Sequence, residues 1–209
     1  GNGLNDIGGG IDIRHASGTI YNNLVYENAM CGIRYGNYID EIINNTVVDN
    51  GIGMMGFGGG IIYDSLDGYV ADIPFGDGPE DIYVRNNIIA FHPSAGIRTG
   101  EFGGVCPSGD YRDYNLLFGN NNTPIDVTPI TWPPWKIRPQ LGSCWWSDNE
   151  IFADPEFVDR DNDDYRIQVT SLAVDAGDDS YGTDYSLPPG VGTTDIDMGV
   201  YGGQYPIDW

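Results

Sequence analysis

The chain has 209 residues, and 9 basic against 31 acidic side chains leave a net charge of −22. Proteins bind nucleic acid and anionic lipid through Lys and Arg that displace counterions, so this charge excludes both as partners. No apolar run is long enough for a membrane span, and no signal peptide is recognisable. Glycine supplies 31 residues, about twice its usual share, which disfavours helix and favours short strands joined by tight turns.

Two short motifs recur along the chain. The first, Asn-x-aliphatic-x-x-Asn, begins at Asn23, Asn45 and Asn115, and a copy at Asn87 ends in His92. The second motif, a small residue followed by Gly-Ile, runs in phase with it and contains Ile11, Ile33, Ile61 and Ile97. Copies at Asn23 and Asn45 are 22 residues apart, and later copies are separated by loop insertions.

This repeat predicts an all-β solenoid of about 22 residues per turn. Strand-length segments with no helix between them cannot bury their own apolar face, so each turn must stack on its neighbour. Stacking places equivalent residues in columns spaced by about 4.8 Å. Inward aliphatic columns are predicted at Ile11, Ile33, Ile61 and Ile97, and at Val25, Val47, Ile89 and Leu117.

A polar column is predicted at one corner of the solenoid. Asn23, Asn45, Asn87 and Asn115 occupy it. Asn tolerates a left-handed backbone, and its amide can bond to the amides above and below it. The corner is therefore expected to join two strands in every turn.

The C-terminal third carries a set of short motifs of its own. They include Asp154-Pro155, Asp164-Tyr165, the segment from Ser171 to Asp178, and Asp197-Met198-Gly199. With the repeat, this tail resembles secreted right-handed parallel β-helix proteins of the pectate-lyase-like superfamily. The resemblance implies a right-handed parallel β-helix with an irregular β C-terminal tail, at a secreted or cell-surface location. That superfamily includes polysaccharide lyases, epimerases, hydrolases and surface modules without known catalysis, so it implies no single activity.

Three segments are predicted. Residues 1–125 form β-helix turns, 126–150 a Trp/Pro-rich loop, and 151–209 C-terminal strands and a tail that pack on the β-helix. The chain starts inside the repeat, which suggests the C-terminal part of a longer solenoid. An uncapped parallel edge invites pairing, so the N-terminal edge is expected to meet the parent chain or another member of an assembly.

The three cysteines are assigned to two environments. Cys31 is expected to be a buried thiol, because Gly59 and Ala95 fill the equivalent small position. Cys106 and Cys144 lie in loop-like stretches, and with the secreted location that the resemblance implies we expect them to form a disulfide.

Four tryptophans form the most concentrated feature outside the repeat. Trp132, Trp135, Trp145 and Trp146 lie close in sequence to prolines that stiffen the loop. Flat rings of this kind stack on sugar faces, so these residues are the candidate carbohydrate-binding site. The alternative is that the rings pack over the side of the solenoid as a lid.

Calcium is the predicted cofactor. Asp159, Asp161 and Asp163 alternate as in a calcium loop, although Asp164 and Thr170 stand where an EF-hand needs Gly and Glu. These three carboxylates could hold a hard cation or form a plain acidic turn. In addition, Glu27 and Asp49 share a column, where like charges need solvent or a bridging cation. Asp12 and Arg34, on adjacent turns, are expected to form an outward ion pair.

No catalytic constellation can be assigned from the residues. A β-elimination needs a base and a cation beside a uronate carboxylate, and the single Lys, Lys136, lies in no recognisable motif. His92 stands at an Asn position and is interpreted as a turn cap. The predicted function is a non-catalytic extracellular β-helix module, structural or carbohydrate-contacting, within a larger secreted or surface protein or assembly. The alternative is a polysaccharide lyase, epimerase or hydrolase that acts on acidic polysaccharide with calcium.

Overall fold

The computed structural model describes residues 9–13, 16, 18–35, 39–51, 59–63, 82–93, 95–99, 110–120, 149–181 and 190–202. Across these ranges the chain is almost entirely β, and its helical elements are two single 3₁₀ turns, Arg160–Asn162 and Asp179–Tyr181. In this part of the chain no helix has the length and apolar character needed to cross a membrane.

Three parallel four-stranded sheets form the body of the molecule, named A, B and C in the order in which the chain visits them. Sheet A contains β1 (Ile11–Ile13), β4 (Cys31–Tyr35), β7 (Gly59–Tyr63) and β10 (Ala95–Thr99). Sheet B contains β2 (Gly18–Tyr21), β5 (Ile39–Ile43), β8 (Ile82–Arg85) and β11 (Asp110–Asp113). Sheet C contains β3 (Leu24–Tyr26), β6 (Thr46–Val48), β9 (Ile88–Ala90) and β12 (Leu116–Phe118). Stacked parallel strands in aligned sheets are consistent with a β-solenoid and compatible with a parallel β-helix.

The strand register confirms both predicted aliphatic columns. In sheet A, Ile33 pairs with Ile11 on one side and Ile61 on the other. In sheet C, Val47 pairs in the same way with Val25 and Ile89. Both columns belong to one core, which also contains Tyr35, Ile42 and Val84. Burial of each large aliphatic side chain contributes about 1.5–3 kcal/mol, so the interior stabilises every turn against the next.

Sheet C has a second apolar side that faces away from this core. Successive strand residues point to opposite faces, so Val47 lies inside while Val48 lies outside. Val48, Ile88 and Leu116 form a second cluster with Phe157, Tyr165 and Ile167 of the tail. The tail residues come from an antiparallel hairpin of β13 (Phe157–Asp159) and β14 (Asp164–Ile167). The tail therefore covers the outer face of sheet C.

Two tight corners turn the chain, one between sheets B and C and one between sheets C and A. Each consists of a left-handed residue followed by a polar residue of a hydrogen-bonded column. The left-handed residues of the first corner are Asn22, Asn44, Asn86 and Tyr114, and those of the second are Glu27, Asp49, Phe91 and Gly119. The sequence prediction assigned the left-handed backbone to the column of Asn23. The structure places it one residue earlier, so the backbone turn and the amide column are divided between two residues.

Glycine in sheet A makes room for the second corner. At Gly60, an added Cβ would lie 2.5 Å from the carbonyl oxygen of Gly96 and 2.6 Å from Nε2 of His92. At Gly32 it would lie 2.3 Å from Cγ1 of Val47. The Gly of the repeated Gly-Ile motif is therefore required by close approach of neighbouring turns.

Candidate functional site

The predicted carbohydrate-binding residues Trp132, Trp135, Trp145 and Trp146 lie outside the described residues. Cys106, Cys144 and Lys136 also lie outside them, so the disulfide and any role for the lysine stay predictions. Cys31 is described and is buried, with 1% exposure, as expected. Asp12 and Arg34 pair in register on sheet A, with 3.9 Å between Oδ2 and Nη1, which confirms that ion pair.

The three aspartates of the predicted calcium loop lie at the tip of the tail hairpin. Asp159 ends β13, Asp161 lies in the 3₁₀ turn, and Asp163 follows it with a left-handed backbone, φ 59°. Two of these carboxylates accept hydrogen bonds from residues of the same hairpin. Asn162 Nδ2 donates to Asp159 Oδ2 at 2.7 Å, and the Tyr165 hydroxyl donates to Asp163 Oδ1 at 3.3 Å. Among the described residues, no three His, Cys, Asp or Glu side chains are grouped to hold a metal ion. A calcium site stays a prediction.

Between these aspartates, Arg160 points back to the solenoid and clamps the tail to the second corner. Its Nε donates to Asp49 Oδ2 at 2.9 Å, and its guanidinium lies 3.8 Å from the ring centroid of Phe91. The hydrogen bond to Asp49 raises the pKa of Arg160. Burial raises the pKa of the Tyr165 hydroxyl, and the negative charges of Asp49 and Asp163 raise it further. In the column of Glu27 and Asp49, the charge of Asp49 is thus neutralised by an arginine of the same chain rather than by a bridging cation.

A hydrogen-bonded ladder of asparagine side chains runs along the first corner. Asn45 Oδ1 accepts bonds from the backbone N and the Nδ2 of Asn23, at 3.0 and 2.9 Å. The same two-bond pattern links Asn45 to Asn87 and Asn87 to Asn115. Asn45, Asn87 and Asn115 are fully buried, and the predicted polar column is confirmed. We call it the first ladder.

The first ladder ends on a carboxylate. Glu150 Oε2 accepts from the backbone N of Asn115 at 2.9 Å, and Oε1 accepts from its Nδ2 at 3.1 Å. Ile151 then forms a parallel bridge with Leu116. Glu150 therefore occupies the position that the next asparagine would take, although 35 residues separate it from Asn115.

An arginine replaces an aliphatic residue at the same end of the core. Strand pairing places Arg112 in register with Val84, which pairs in turn with Ile42 and, through it, with Ile20. Arg112 is 5% exposed, and its charge favours the ionised form of Glu150. Burial nevertheless raises the pKa of Glu150 to about 7. The solenoid core thus ends in a buried cation beside a partly buried carboxyl group.

His92 belongs to a second ladder along the other corner, which also contains Asn28, Asn50 and Asn120. Its Nδ1 accepts from the backbone N of Asn50 at 3.0 Å, so Nε2 carries the hydrogen and donates to the carbonyl of Val47 at 3.1 Å. Burial lowers the pKa of His92 to about 4. The structure confirms the turn-capping role, with the imidazole in place of an amide.

The tail is anchored to the left-handed residues of the first corner. Asn44 Nδ2 donates to the carbonyl of Asp197 at 3.1 Å, and Asn86 Oδ1 accepts from the backbone N of Asp178 at 2.8 Å. Asp178 also pairs with Arg85, at 3.1 Å between Oδ2 and Nη1. The motifs of the C-terminal tail therefore bind the corner residues of the repeat directly.

Glu150 and Arg112 were not identified from the sequence. Arg112 could have been found, because it lies three residues before Asn115 just as Ile20 lies three before Asn23. Glu150 follows a long insertion, but Asn149-Glu150-Ile151 aligns with Asn86-Asn87-Ile88 of the repeat, and this alignment is the signal that could have found it.

The comparisons with known proteins add no family. No protein-family model matches the chain, and neither a curated protein nor a solved structure matches it.

Proposed function

We propose that this chain is a non-catalytic, extracellular module built on a right-handed parallel β-helix of the pectate-lyase-like kind. It serves a structural or carbohydrate-contacting role within a larger secreted or surface protein or assembly. The observation that carries this proposal is that the polar side chains of the ladders and tail anchors hold the structure together. Asn, His, Arg and Asp side chains bind one turn to the next and the tail to the turns.

This arrangement favours a scaffold. A buried amide that donates and accepts along a column fixes the register of each turn, because a slip would leave buried donors without acceptors. Arg160 and Arg85, both partly buried, each pair with an aspartate across the junction of solenoid and tail. Such contacts support a rigid surface on which loops can be displayed.

Within this proposal, the contact surface for sugar is the tryptophan loop, with Trp132, Trp135, Trp145 and Trp146 as stacking residues. Neutral polysaccharide is the favoured ligand, because a chain with a net charge of −22 repels anionic polymers unless calcium intervenes. Calcium would be held by Asp159, Asp161 and Asp163.

Binding to a polysaccharide panel tests the carbohydrate role. The full chain is titrated with neutral and uronate-containing polymers, with and without calcium, while tryptophan fluorescence is followed. We expect binding to a neutral polymer that Trp132→Ala with Trp135→Ala weakens at least tenfold. Trp209→Ala, which removes a tryptophan outside the cluster, is the matched control and should leave the affinity unchanged. Equal affinity in the parent chain and in both variants would exclude sugar binding by the tryptophan loop, and only the structural role would remain.

A lyase assay tests the absence of catalysis. β-Elimination creates an unsaturated uronate that absorbs in the ultraviolet, so the uronate polymers are incubated with the chain and calcium. We expect no rise in absorbance. A rise that Lys136→Ala or Arg98→Ala abolishes would replace the proposal with the lyase alternative.

A further inference from the structure

Asn50 is followed by a glycine, unlike every other asparagine of the two ladders. The residues that follow the others are Leu24, Thr46, Ile88 and Leu116 in the first ladder, and Ala29 and Asn121 in the second. An Asn-Gly pair is chemically labile, because the glycine nitrogen has no neighbouring side chain to shield it from the amide carbon of the asparagine. Gly51 has φ 92°, in the left-handed region, so a residue with a side chain would be strained there. The fold therefore requires a labile pair at this corner.

The side chain of Asn50 is fully buried and uses both of its polar atoms. Its Oδ1 accepts from the backbone N and the Nδ2 of Asn28, at 3.0 and 2.8 Å. Its Nδ2 donates to the carbonyls of Val25 and Val48, both at 2.9 Å. Four hydrogen bonds therefore fix the orientation of the amide carbon that a nucleophile would have to reach.

The nucleophile of the reaction is held as well. The backbone N of Gly51 donates to the carbonyl of Asn28 at 2.8 Å. To attack Cγ of Asn50, this nitrogen must lose that hydrogen bond and its proton, and the side chain must leave its four partners. Both changes break buried hydrogen bonds, which the closed ladder opposes. The reaction therefore requires the second ladder to open at Asn50.

We propose that Asn50 is a deamidation site that the second ladder protects, so that the chain is modified irreversibly only while the ladder is open there. In the open state the backbone N of Gly51 attacks Cγ of Asn50 and a new C–N bond forms. The amide nitrogen leaves as ammonia, with the proton that Gly51 has lost. Water then hydrolyses one of the two carbonyls of the resulting succinimide, which gives aspartate or isoaspartate at position 50.

Neither product fits the second ladder. Aspartate has an oxygen in place of Nδ2, so the carbonyls of Val25 and Val48 lose their donor and a buried carboxylate lies beside them. Isoaspartate adds a methylene group to the backbone, which displaces the corner from the register of its neighbours. A chain that stays unfolded long enough to be modified should therefore fail to regain the stable fold.

Peptide mass spectrometry tests the protection. The full chain is incubated in mildly alkaline buffer, folded in one sample and denatured by guanidinium chloride in the other. We expect conversion at Asn50 to be at least about 100-fold slower in the folded chain, because a core hydrogen bond is open in only a small fraction of molecules. In the denatured chain, Gly51→Ala should slow conversion at Asn50 about tenfold or more, since its methyl group shields the nitrogen. Equal rates in the two samples, or in the two denatured chains, would overturn the proposal.

Refolding tests the consequence. Denatured samples incubated for increasing times are returned to buffer, and we expect the refolded fraction to be depleted in chains modified at Asn50. Asn50→Asp, which reproduces one product, should lower the folding equilibrium constant about 100-fold or more, or prevent folding. Asn162→Asp makes the same change at an exposed position and should alter that constant less than about threefold. The proposal is wrong if modified chains refold as well as unmodified ones, or if the two variants are equally stable.

Discussion

His92 occupies a position in the second ladder that asparagine fills in the other turns. An asparagine at this position would offer one oxygen and one NH₂ group, and the neutral imidazole offers one acceptor nitrogen and one N–H in nearly the same directions. The imidazole can replace the amide only while the ring is neutral, because a protonated ring has no acceptor nitrogen. Because burial holds the pKa near 4, the ring stays neutral in the fold under conditions that protonate a histidine in the unfolded chain.

Replacement of His92 by Asn tests this account through acid stability. The unfolded chain takes up a proton near pH 6.5 and the folded chain near pH 4, so His92 costs stability as the pH falls between these values. At pH 4.5 the loss is about 2.5 kcal/mol. His92→Asn should therefore be more stable than the parent chain at pH 4.5, as measured by urea unfolding.

At pH 7.5 the histidine is neutral in both the folded and the unfolded chain, so the difference in stability between the two proteins reports packing alone. The smaller side chain of His92→Asn should unfold within about 1 kcal/mol of the parent chain there, because it restores the amide found at Asn50 and Asn120. If the variant gains no relative stability at pH 4.5, burial of the imidazole does not govern the acid response.

At the scale of the strand, glycine determines how closely two turns approach. Gly60→Ala places a methyl group against the backbone oxygen of Gly96, which cannot move without shifting β10, and against the ring of His92. We expect a loss of about 2–4 kcal/mol in the free energy of unfolding. Ala95→Gly, a change of similar size on the neighbouring strand that creates no clash, should cost about 1 kcal/mol. Equal losses in chemical denaturation would contradict the steric explanation.

The contact between hairpin and corner is a second test at this scale. Arg160→Gln removes the guanidinium that bonds to Asp49 and covers Phe91, and because Arg160 is partly exposed we expect a loss of only about 1 kcal/mol. The tail should become more accessible to limited proteolysis near residues 159–163. Arg166→Gln is the matched control, since Arg166 pairs with Asp164 within its own strand and should not alter tail cleavage. Equal cleavage of both variants would show that Arg160 does not clamp the tail.

The elements differ in how far their sequence foretold them. Columns such as Ile33 and Ile61 were predictable because a residue that repeats once per turn meets its own copy. The outer apolar face at Val48 was not assigned, because a strand buried on both sides loses its alternation. The clamp at Asp49 depends on Arg160, 111 residues away, and nothing in a local pattern specifies such a partner. Glu150 is intermediate, since a long insertion precedes it but Asn149-Glu150-Ile151 aligns with the repeat.

For the molecule as a whole, the charge of −22 is the dominant electrostatic fact. Like charges repel within a compact fold, so added salt should stabilise the chain by screening, and sodium chloride is expected to raise the melting temperature. A bound divalent cation would do more than screen, because it stabilises the folded state by mass action. The comparison of calcium with sodium at equal ionic strength therefore separates a site from a general effect.

Calcium should raise the melting temperature by a few degrees more than sodium chloride of equal ionic strength. At tenfold excess over Kd, binding contributes about 1.4 kcal/mol, which corresponds to a shift of that size for a domain of this length. Asp161→Asn should remove the extra stabilisation because it takes away one of the three carboxylates at the hairpin tip. Asp195→Asn changes the net charge equally at another exposed position and should retain it. If the two variants respond alike, the effect of calcium belongs to the overall charge, and the aspartates at the tip form an acidic turn.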